Sequence, residues 1–332
     1  MKRNFGFVMA AAALVMALAW TGPVQAYEVT GDVTSGWDTE GGNLWYDVLK
    51  ETATSTAGGY DGTYTRGVIV RPPTTQDLPN PLSPTNHNWI EVDYILATGR
   101  YGDRALYSVG ELDPRFGNET VSLTLNKNKR DYDLVGGGRW VRNVSKIDVV
   151  HAFTNMKSVP GDVHPYSAML VVSGAGITPR TYDLADLQAM TQATFDASLS
   201  GTNTKGKWTG PTLVDVLKAS GVDTRDTDSY IIVQATDGYA TLLSMYEVTH
   251  NSTELPNSSV GCPLPLLAIR DELNNTINNG TCTDPEPASG TTCKDGGFVR
   301  TVLPNDLAAG RWVSNTAQII VYKLEGCKDL WR

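Results

Sequence analysis

Residues 94–112, which read YILATGRYGDRALYSVGEL, occur a second time in altered form as residues 230–248, which read YIIVQATDGYATLLSMYEV. The two stretches align without a gap. Paired identities are Tyr94 and Tyr230, Ile95 and Ile231, Gly102 and Gly238, Leu106 and Leu242, Ser108 and Ser244, and Glu111 and Glu247. Such ordered identity indicates an internal duplication. Its period far exceeds the roughly 20 to 50 residues of solenoid repeats, which predicts two globular units with separate cores.

A second match begins at two arginines further along the chain. The sequence Arg-Trp-Val-x-Asn starts at Arg139 and again at Arg311, and alternating apolar residues follow it both times. Alternation of this kind predicts a strand. Because tryptophan buries a large apolar area, the repeat predicts Trp140 and Trp312 at equivalent buried positions on the closing strand of each unit.

A third match lies upstream, where DVLK occurs at residues 47–50 and at residues 215–218. We interpret both as helical. The three matches keep one order along the chain. We therefore expect a first unit at residues 27–153 and a second unit at residues 164–332, joined by a polar linker.

The local patterns mix short strands with short helices. Residues 168–172 and 230–235 are β-rich apolar runs bounded by turn residues, which predicts strands. Residues 212–220 place apolar side chains on one face and stop before a glycine, which predicts a helix. Another helix is predicted over residues 184–190, with Asp183 as its N-cap. The order is not a regular βαβ alternation, so the expected fold class is α+β, as two tandem mixed domains with long loop insertions.

The first residues have the pattern of an export signal. Two basic residues precede an apolar run from Phe7 to Trp20, and Val-Gln-Ala at 24–26 is a small-x-small cleavage site. We expect a signal peptide at residues 1–26 and an exported, periplasmic or extracellular protein. No later stretch is apolar for long enough to span a bilayer, so no membrane span is expected after cleavage.

Charge and motif content exclude several classes of function. A formal net charge of -9 argues against nucleic-acid binding, which needs a basic face. The four histidines have no ligand spacing, and no Gly-x-Ser-x-Gly motif is present, so zinc and serine-hydrolase chemistry are not expected.

Cysteine usage predicts two disulfides. The four cysteines lie in the last quarter of the chain at 262, 282, 293 and 327. Of three possible connectivities we favour Cys282 with Cys293 and Cys262 with Cys327, because this closes a local loop and ties down the C-terminus. The polar insertion between Cys262 and Cys293 is expected over the edge of the second unit's pocket, as a recognition surface.

The second unit resembles the molybdopterin-binding domain of the sulfite oxidase family. The motifs that carry the resemblance occur in the family's order: VVSGAGITPRTYDLADLQAM at 171–190, KWTGPTLVDVLKASGV at 207–222, IIVQATDGYATLLSMYEV at 231–248, PLLAIRDE at 265–272, DGGFVRTVLPND at 295–306 and GRWVSNTAQIIVYK at 310–323. The first unit matches only the last half of this pattern and has no counterpart of the segment at Trp208, so it resembles a degenerate copy.

The resemblance implies a set of cofactor-binding positions. These are Ser200, Asp237, Tyr239, Arg270 and Arg300. In the family a cysteine thiolate ligates molybdenum, and Ser200 stands near that position here. A serine hydroxyl is a poor replacement for a soft thiolate, and the export signal lacks the twin-arginine motif of cofactor-loaded cargo. Molybdopterin is therefore a doubtful cofactor.

Four of the candidate positions have an alternative structural interpretation. The sequence Asp237-Gly238-Tyr239 also fits a tight turn in which the glycine takes a positive φ. Arg270, Arg300 and Arg311 can hold an anion, but they also fit solvated positions or salt bridges. Arg139 and Arg311 each precede a tryptophan, which fits an arginine stacked on an indole equally well.

These patterns favour an exported protein with a sulfite-oxidase-type fold that lacks the molybdenum-ligating cysteine. It would act as a binding or structural module for a protein or small-molecule ligand that the sequence does not name. The alternative is a periplasmic molybdopterin-dependent oxidoreductase with atypical ligation of the metal.

Overall fold

The fold consists mostly of strands with four short helices among the described residues. The computed structural model describes residues 28–31, 47–55, 62–69, 93–112, 116–117, 119, 121–125, 131–152, 167, 169–197, 206–236, 238–250, 263–269, 298–306 and 309–324. The predicted signal peptide, the linker and all four cysteines lie outside these residues. No helix of the described part is long and apolar enough to cross a membrane.

We call the described residues up to 152 the first unit and those from 167 onward the second unit. The first unit contains two sheets. Its strands are β1 (Glu28–Gly31), β2 (Asp47–Ser55), β3 (Gly62–Ile69), β4 (Asp93–Gly99), β5 (Arg104–Ser108), β6 (Val121–Leu125), β7 (Tyr132–Gly136), β8 (Arg139–Val141) and β9 (Val144–His151), with helix α1 (Val109–Leu112) after β5. One sheet has the order β1-β9-β4-β5, and the other has the order β3-β2-β6-β7-β8. The second sheet brings β8 to an edge.

The second unit has one large sheet and two separate antiparallel pairs of strands. Its elements are β10 (Leu170–Gly174), β11 (Arg180–Tyr182), α2 (Leu184–Ala189), β12 (Ala193–Ala197), β13 (Gly206–Gly210), α3 (Leu213–Ala219), β14 (Ser229–Ala235), β15 (Ala240–Ser244), α4 (Met245–Thr249), β16 (Leu266–Ala268), β17 (Arg300–Val302), a 3-10 helix at Ala309–Arg311 and β18 (Thr316–Lys323). The large sheet has the order β11-β10-β18-β14-β15, and the pairs are β12-β13 and β16-β17.

The two units repeat one strand arrangement. In each unit a central strand, β9 or β18, runs parallel to the unit's first strand and antiparallel to the strand of the long repeat. The β4–β9 register shifts between Thr98 and Gly99, and the β14–β18 register shifts between the equivalent residues Gln234 and Ala235. A shared irregularity is stronger evidence of equivalence than shared strands, because bulges occupy particular positions in a sheet.

The turn that follows each repeated strand is also the same. Gly102 and Gly238 both have a positive φ, at 90° and 88°. The amide N–H groups of Gly102 and Gly238 donate to the carbonyls of Gly99 and Ala235, respectively. The structural interpretation of this glycine is therefore confirmed, because only glycine adopts such a φ without a steric cost.

Each unit has its own apolar core, and a third cluster joins the two. Alternate residues of β4 point in opposite directions: Ile95 belongs to the first unit's core, and Tyr94 to the cluster between the units. Ile231 and Tyr230 divide in the same way on β14. This follows from the period of two along a strand, which gives each sheet one face for its own core and one for the other unit.

The predictions of helices at residues 184–190 and 212–220 are confirmed. Helix α2 begins after Asp183, whose side chain accepts from the Asp186 amide in a capping box. Helix α3 begins after Thr212, whose hydroxyl accepts from the Asp215 amide, and ends before Gly221, which has a φ of 82°. These caps satisfy backbone groups that a short helix otherwise leaves unpaired.

The prediction that the two DVLK segments are equivalent helices is wrong. Residues 47–50 lie in β2, which pairs with β3 and β6, whereas residues 215–218 lie in α3. The flanking residues of each DVLK segment determine its secondary structure. The first copy continues into Thr- and Ser-rich sequence typical of strands, and the second follows an N-cap and precedes a C-cap.

The prediction that both tryptophans are buried on the closing strand is wrong, because Trp140 is exposed on β8 and Trp312, although buried, precedes β18. Trp312 is 5% exposed, whereas Trp140 is 63% exposed. Trp140 lies on the edge strand β8 directly opposite Val135, which is 45% exposed. In the second unit, Trp208 from β13 packs edge-on against Trp312, with ring centroids 5.5 Å apart.

Candidate functional site

Two serine–glutamate hydrogen bonds join the two units in a reciprocal arrangement. Ser108 Oγ donates to Glu247 Oε2 over 2.9 Å, and Ser244 Oγ donates to Glu111 Oε2 over 3.0 Å. Each serine is the equivalent of the other in the long repeat, as is each glutamate. The contact therefore has approximate twofold symmetry within a single chain.

The same serines cap the short helices that carry the glutamates. Ser108 Oγ accepts from the Glu111 amide over 3.0 Å, and Ser244 Oγ accepts from the Glu247 amide over 3.0 Å. Each hydroxyl thus stabilises its own helix and orients the glutamate of the other unit. Local helix geometry and the contact between units depend on the same two atoms.

Each glutamate pairs with the arginine of its own unit. Arg139 Nη1 lies 2.9 Å from Glu111 Oε1, and Arg311 Nη2 lies 2.6 Å from Glu247 Oε1. Arg311 also forms a two-pronged pair with Asp306, at 2.9 Å from Nε and 2.5 Å from Nη2. The salt-bridge interpretation of Arg311 is confirmed.

Arg139 stacks on two tyrosines rather than on the neighbouring Trp140. The Arg139 guanidinium carbon lies 3.7 Å from the centroid of Tyr107 and 4.4 Å from the centroid of Tyr246. Arg139 therefore lies between a tyrosine of each unit, where its charge interacts with both ring faces.

We call Glu111, Arg139, Glu247, Asp306 and Arg311 the ionic joint. Glu247 has the most exposed side chain, at 14%, and the other four are exposed by 8% or less. Three carboxylates face two guanidinium groups, so full ionisation leaves one buried negative charge in excess. An uncompensated buried charge is costly, and a carboxylate in this setting tends to take up a proton.

The pKa shifts in the joint agree with this charge count. Burial raises the pKa of Glu111 from 4.5 to about 7; Arg139 opposes the rise and Glu247 adds to it. Burial by itself would lower the pKa of Arg311, but the carboxylates of Asp306 and Glu247 outweigh it and raise that pKa. Arg311 therefore stays charged while Glu111 titrates near neutral pH.

Glycines let the units approach closely around the joint. A Cβ atom on Gly110 would overlap the Arg311 side chain, and one on Gly138 would overlap the hydroxyl of Tyr246. Both contacts cross between the units. A side chain at either glycine would push the units apart or displace the partner group.

A second candidate site lies in the second unit around Trp208. This side chain is buried, and among the described residues its indole N–H has no hydrogen-bond acceptor. The Arg300 guanidinium carbon lies 5.5 Å from the centroid of the Trp208 ring. A buried donor without an acceptor is uncommon in proteins, and one beside a cation is suited to an oxygen of a ligand.

Only two of the predicted cofactor-binding residues fall within the described chain. Tyr239 is packed against the second unit's core, and its hydroxyl donates to the carbonyl of Gly310. Arg300 lies at the start of β17 beside Trp208. Ser200, Asp237 and Arg270 lie outside the described residues, and the cofactor-binding role of all five stays a prediction.

The expected absence of a molybdenum-ligating cysteine stays a prediction, because Ser200 lies outside the described residues. The chain has no cysteine before Cys262, so neither β12, β13 nor residues 198–205 between them carry a thiolate. Among the described residues, no three His, Cys, Asp or Glu side chains group as metal ligands would. Molybdenum favours a soft thiolate donor, and a hydroxyl does not supply one.

Sequence reasoning missed the ionic joint as a site. Ser108, Glu111, Ser244 and Glu247 were recognised only as matching letters of the repeat. A signal was nevertheless present, since two serines, two glutamates and two arginines all recur in matching places. Recurrence of polar residues among apolar ones indicates a shared contact between the copies.

The described residues form a mixed α/β fold that is mostly strand, with a cluster of buried ion pairs. No family model matches the chain, and no curated protein matches it. Among solved structures, the chain is similar to the sulfane dehydrogenase SoxCD from Paracoccus pantotrophus, with 12% sequence identity and a TM-score of 0.34. The similarity covers 52% of this chain and 42% of that chain. This likeness is remote.

Proposed function

We propose that this chain is an exported binding protein built from two tandem copies of a sulfite-oxidase-type domain, without a molybdenum-ligating cysteine. The ordered motifs of the second unit support the family assignment, and the repeated register shifts and glycine turns support the duplication. The proposed boundaries are residues 27–153 and 164–332, after a cleaved segment of residues 1–26.

One observation carries the binding function. The Trp208 indole N–H is buried without an acceptor among the described residues, and the Arg300 guanidinium lies over the same ring. A small oxyanion or a carboxylate that accepts from Trp208 would remove the cost of the unpaired donor. The proposed ligand class is therefore a small anion held in the second unit.

Metal content tests the absence of the cofactor. We expect full-length protein purified from its own host to contain molybdenum far below one atom per chain, because no thiolate is available at Ser200. Near-stoichiometric molybdenum together with a bound pterin would instead establish the alternative, a molybdopterin-dependent oxidoreductase with atypical ligation.

A thermal-shift titration tests the anion site with sulfate as the probe, against sodium chloride at equal ionic strength. We expect sulfate to raise the Tm of the full chain by mass action. Trp208→Phe keeps an aromatic ring and removes the N–H, so it should abolish the shift. Trp140→Phe is the matched control on the exposed tryptophan and should keep it. An unchanged shift in the Trp208 variant would refute the site.

A further inference from the structure

We propose that the ionic joint is a proton-binding latch: it holds one proton below neutral pH, and loss of that proton as the pH rises weakens the contact between the two units. The latch is independent of any ligand in the second unit. It is built from the residues that recur in both repeats, with Asp306 added in the second unit alone.

The charge count is the first argument. Two arginines can neutralise two of the three carboxylates, and all five side chains are shielded from water. Arg311 is shared between Asp306 and Glu247, whereas Arg139 pairs with Glu111. A single proton would complete the neutralisation, and neutral clusters are less costly to bury than charged ones.

The position of the proton is the second argument. Glu111 accepts from Ser244 through Oε2, and its Oε1 lies 2.9 Å from Arg139. Glu247 is more exposed than Glu111 and Asp306. Asp306 accepts hydrogen bonds from both Nε and Nη2 of Arg311. The Glu111 side chain is 6% exposed and its ion pair is with Arg139, and burial raises its pKa to about 7.

Titratable and charged groups of both units surround Glu111. They are Tyr107 on β5, Arg139 on β8, Tyr246 and Glu247 on α4, Arg311 with Asp306 from the second unit, Glu119 near the glycine turn after β7, and His250 stacked on Tyr246. Within this set, Glu247 is the acidic neighbour that raises the pKa of Glu111, and Arg139 is the basic neighbour that lowers it.

The sign of the effect follows from the raised pKa. In the unfolded chain Glu111 titrates near its ordinary value of 4.5, and in the folded protein it titrates at about 7. The stabilising contribution is fully present below pH 4.5 and falls as pH rises to about 7, because the folded state then binds more protons than the unfolded state. The corresponding change in the unfolding equilibrium constant is on the order of 100-fold.

The experiment compares wild type, Glu111→Gln and Glu119→Gln as full-length chains in urea unfolding at pH 5 and pH 8. Glutamine mimics the neutral carboxyl, so we expect Glu111→Gln to match wild type at pH 5 and to be the more stable protein at pH 8. Glu119→Gln changes the same residue type beside the joint and should follow the wild-type pH profile. Parallel profiles for Glu111→Gln and wild type would overturn the latch.

Two measurements on the wild type decide the matter even if a variant does not fold. A carboxyl carbon NMR titration should show one glutamate that titrates near neutral pH, and titration of every glutamate below pH 6 would overturn the proposal. Hydrogen exchange corrected for intrinsic rate should show residues 104–112 and 240–249 losing about tenfold or more protection from pH 6 to pH 8.5. Unchanged protection of both segments would overturn the latch.

Discussion

Asn143 and Asn315 adopt the same left-handed backbone conformation, with φ angles of 49° and 52°, at equivalent positions of the two units. They are the non-glycine residues of the described chain that have a positive φ. The carbonyl of Asn143 accepts from the Arg100 amide, and the carbonyl of Asn315 accepts from the Thr236 amide. Asparagine tolerates this conformation better than most residues, which explains its recurrence beside a sheet irregularity.

The two asparagines should respond alike to substitution. Alanine is strained at a left-handed position and glycine is not, so the alanine variant should be less stable than the glycine variant by about 1 kcal/mol at each site. Both substitutions remove the asparagine side chain, so their difference isolates the backbone term. Urea unfolding of the four variants measures it. A difference at only one of the two sites would contradict structural equivalence.

The reciprocal serines should contribute similar amounts to stability. Ser108→Ala removes a donor to Glu247 and an acceptor for the Glu111 amide, and Ser244→Ala removes the mirrored pair. We expect each variant to cost about 1 to 3 kcal/mol, because each leaves buried polar groups unpaired. Chemical denaturation of the two single variants and the double variant checks this. If each single variant changes the free energy of unfolding by no more than about 0.5 kcal/mol, the hydrogen bonds across the joint do not contribute significantly to stability.

Replacement of Gly110 should reverse the usual effect of alanine in a helix. Gly110 lies in α1, where glycine-to-alanine changes ordinarily stabilise by about 0.5 to 1 kcal/mol. Here the new Cβ would overlap Arg311, so we expect Gly110→Ala to destabilise by about 1 to 3 kcal/mol. Gly110→Ala in an Arg311→Ala background provides the control, because it removes the obstructing side chain. A stabilised single variant would show that the units are not in close contact there.

The sequence predicted the local structure well where neighbouring residues determine it. The caps of α2 and α3 and the glycine turns depend on residues a few positions apart, and all were recognisable. The predicted helix at the first DVLK segment was wrong, because four residues do not determine a conformation independently of the residues around them. Pairing with two strands decided that segment.

The ionic joint could not be derived from spacing because its partners are far apart in the chain. Ser108 and Glu247 are 139 residues apart, and Glu111 and Ser244 are 133 residues apart. The repeat showed which residues recur, but it did not show that each copy's glutamate faces the other copy's serine. That information requires the relative placement of the two units, which no local pattern contains.

The two equivalent tryptophans should differ sharply in their contribution to stability. Trp312 is 5% exposed, packs against Trp208, and donates its indole N–H to the carbonyl of Leu303. We expect Trp312→Ala to destabilise the protein by about 3 to 5 kcal/mol, since it leaves a large cavity and an unpaired carbonyl. Trp140 is 63% exposed on an edge strand, so Trp140→Ala should change stability by no more than about 0.5 kcal/mol. Urea unfolding of the two variants checks the contrast, and a comparable loss for Trp140→Ala would mean that this surface is covered in the folded protein.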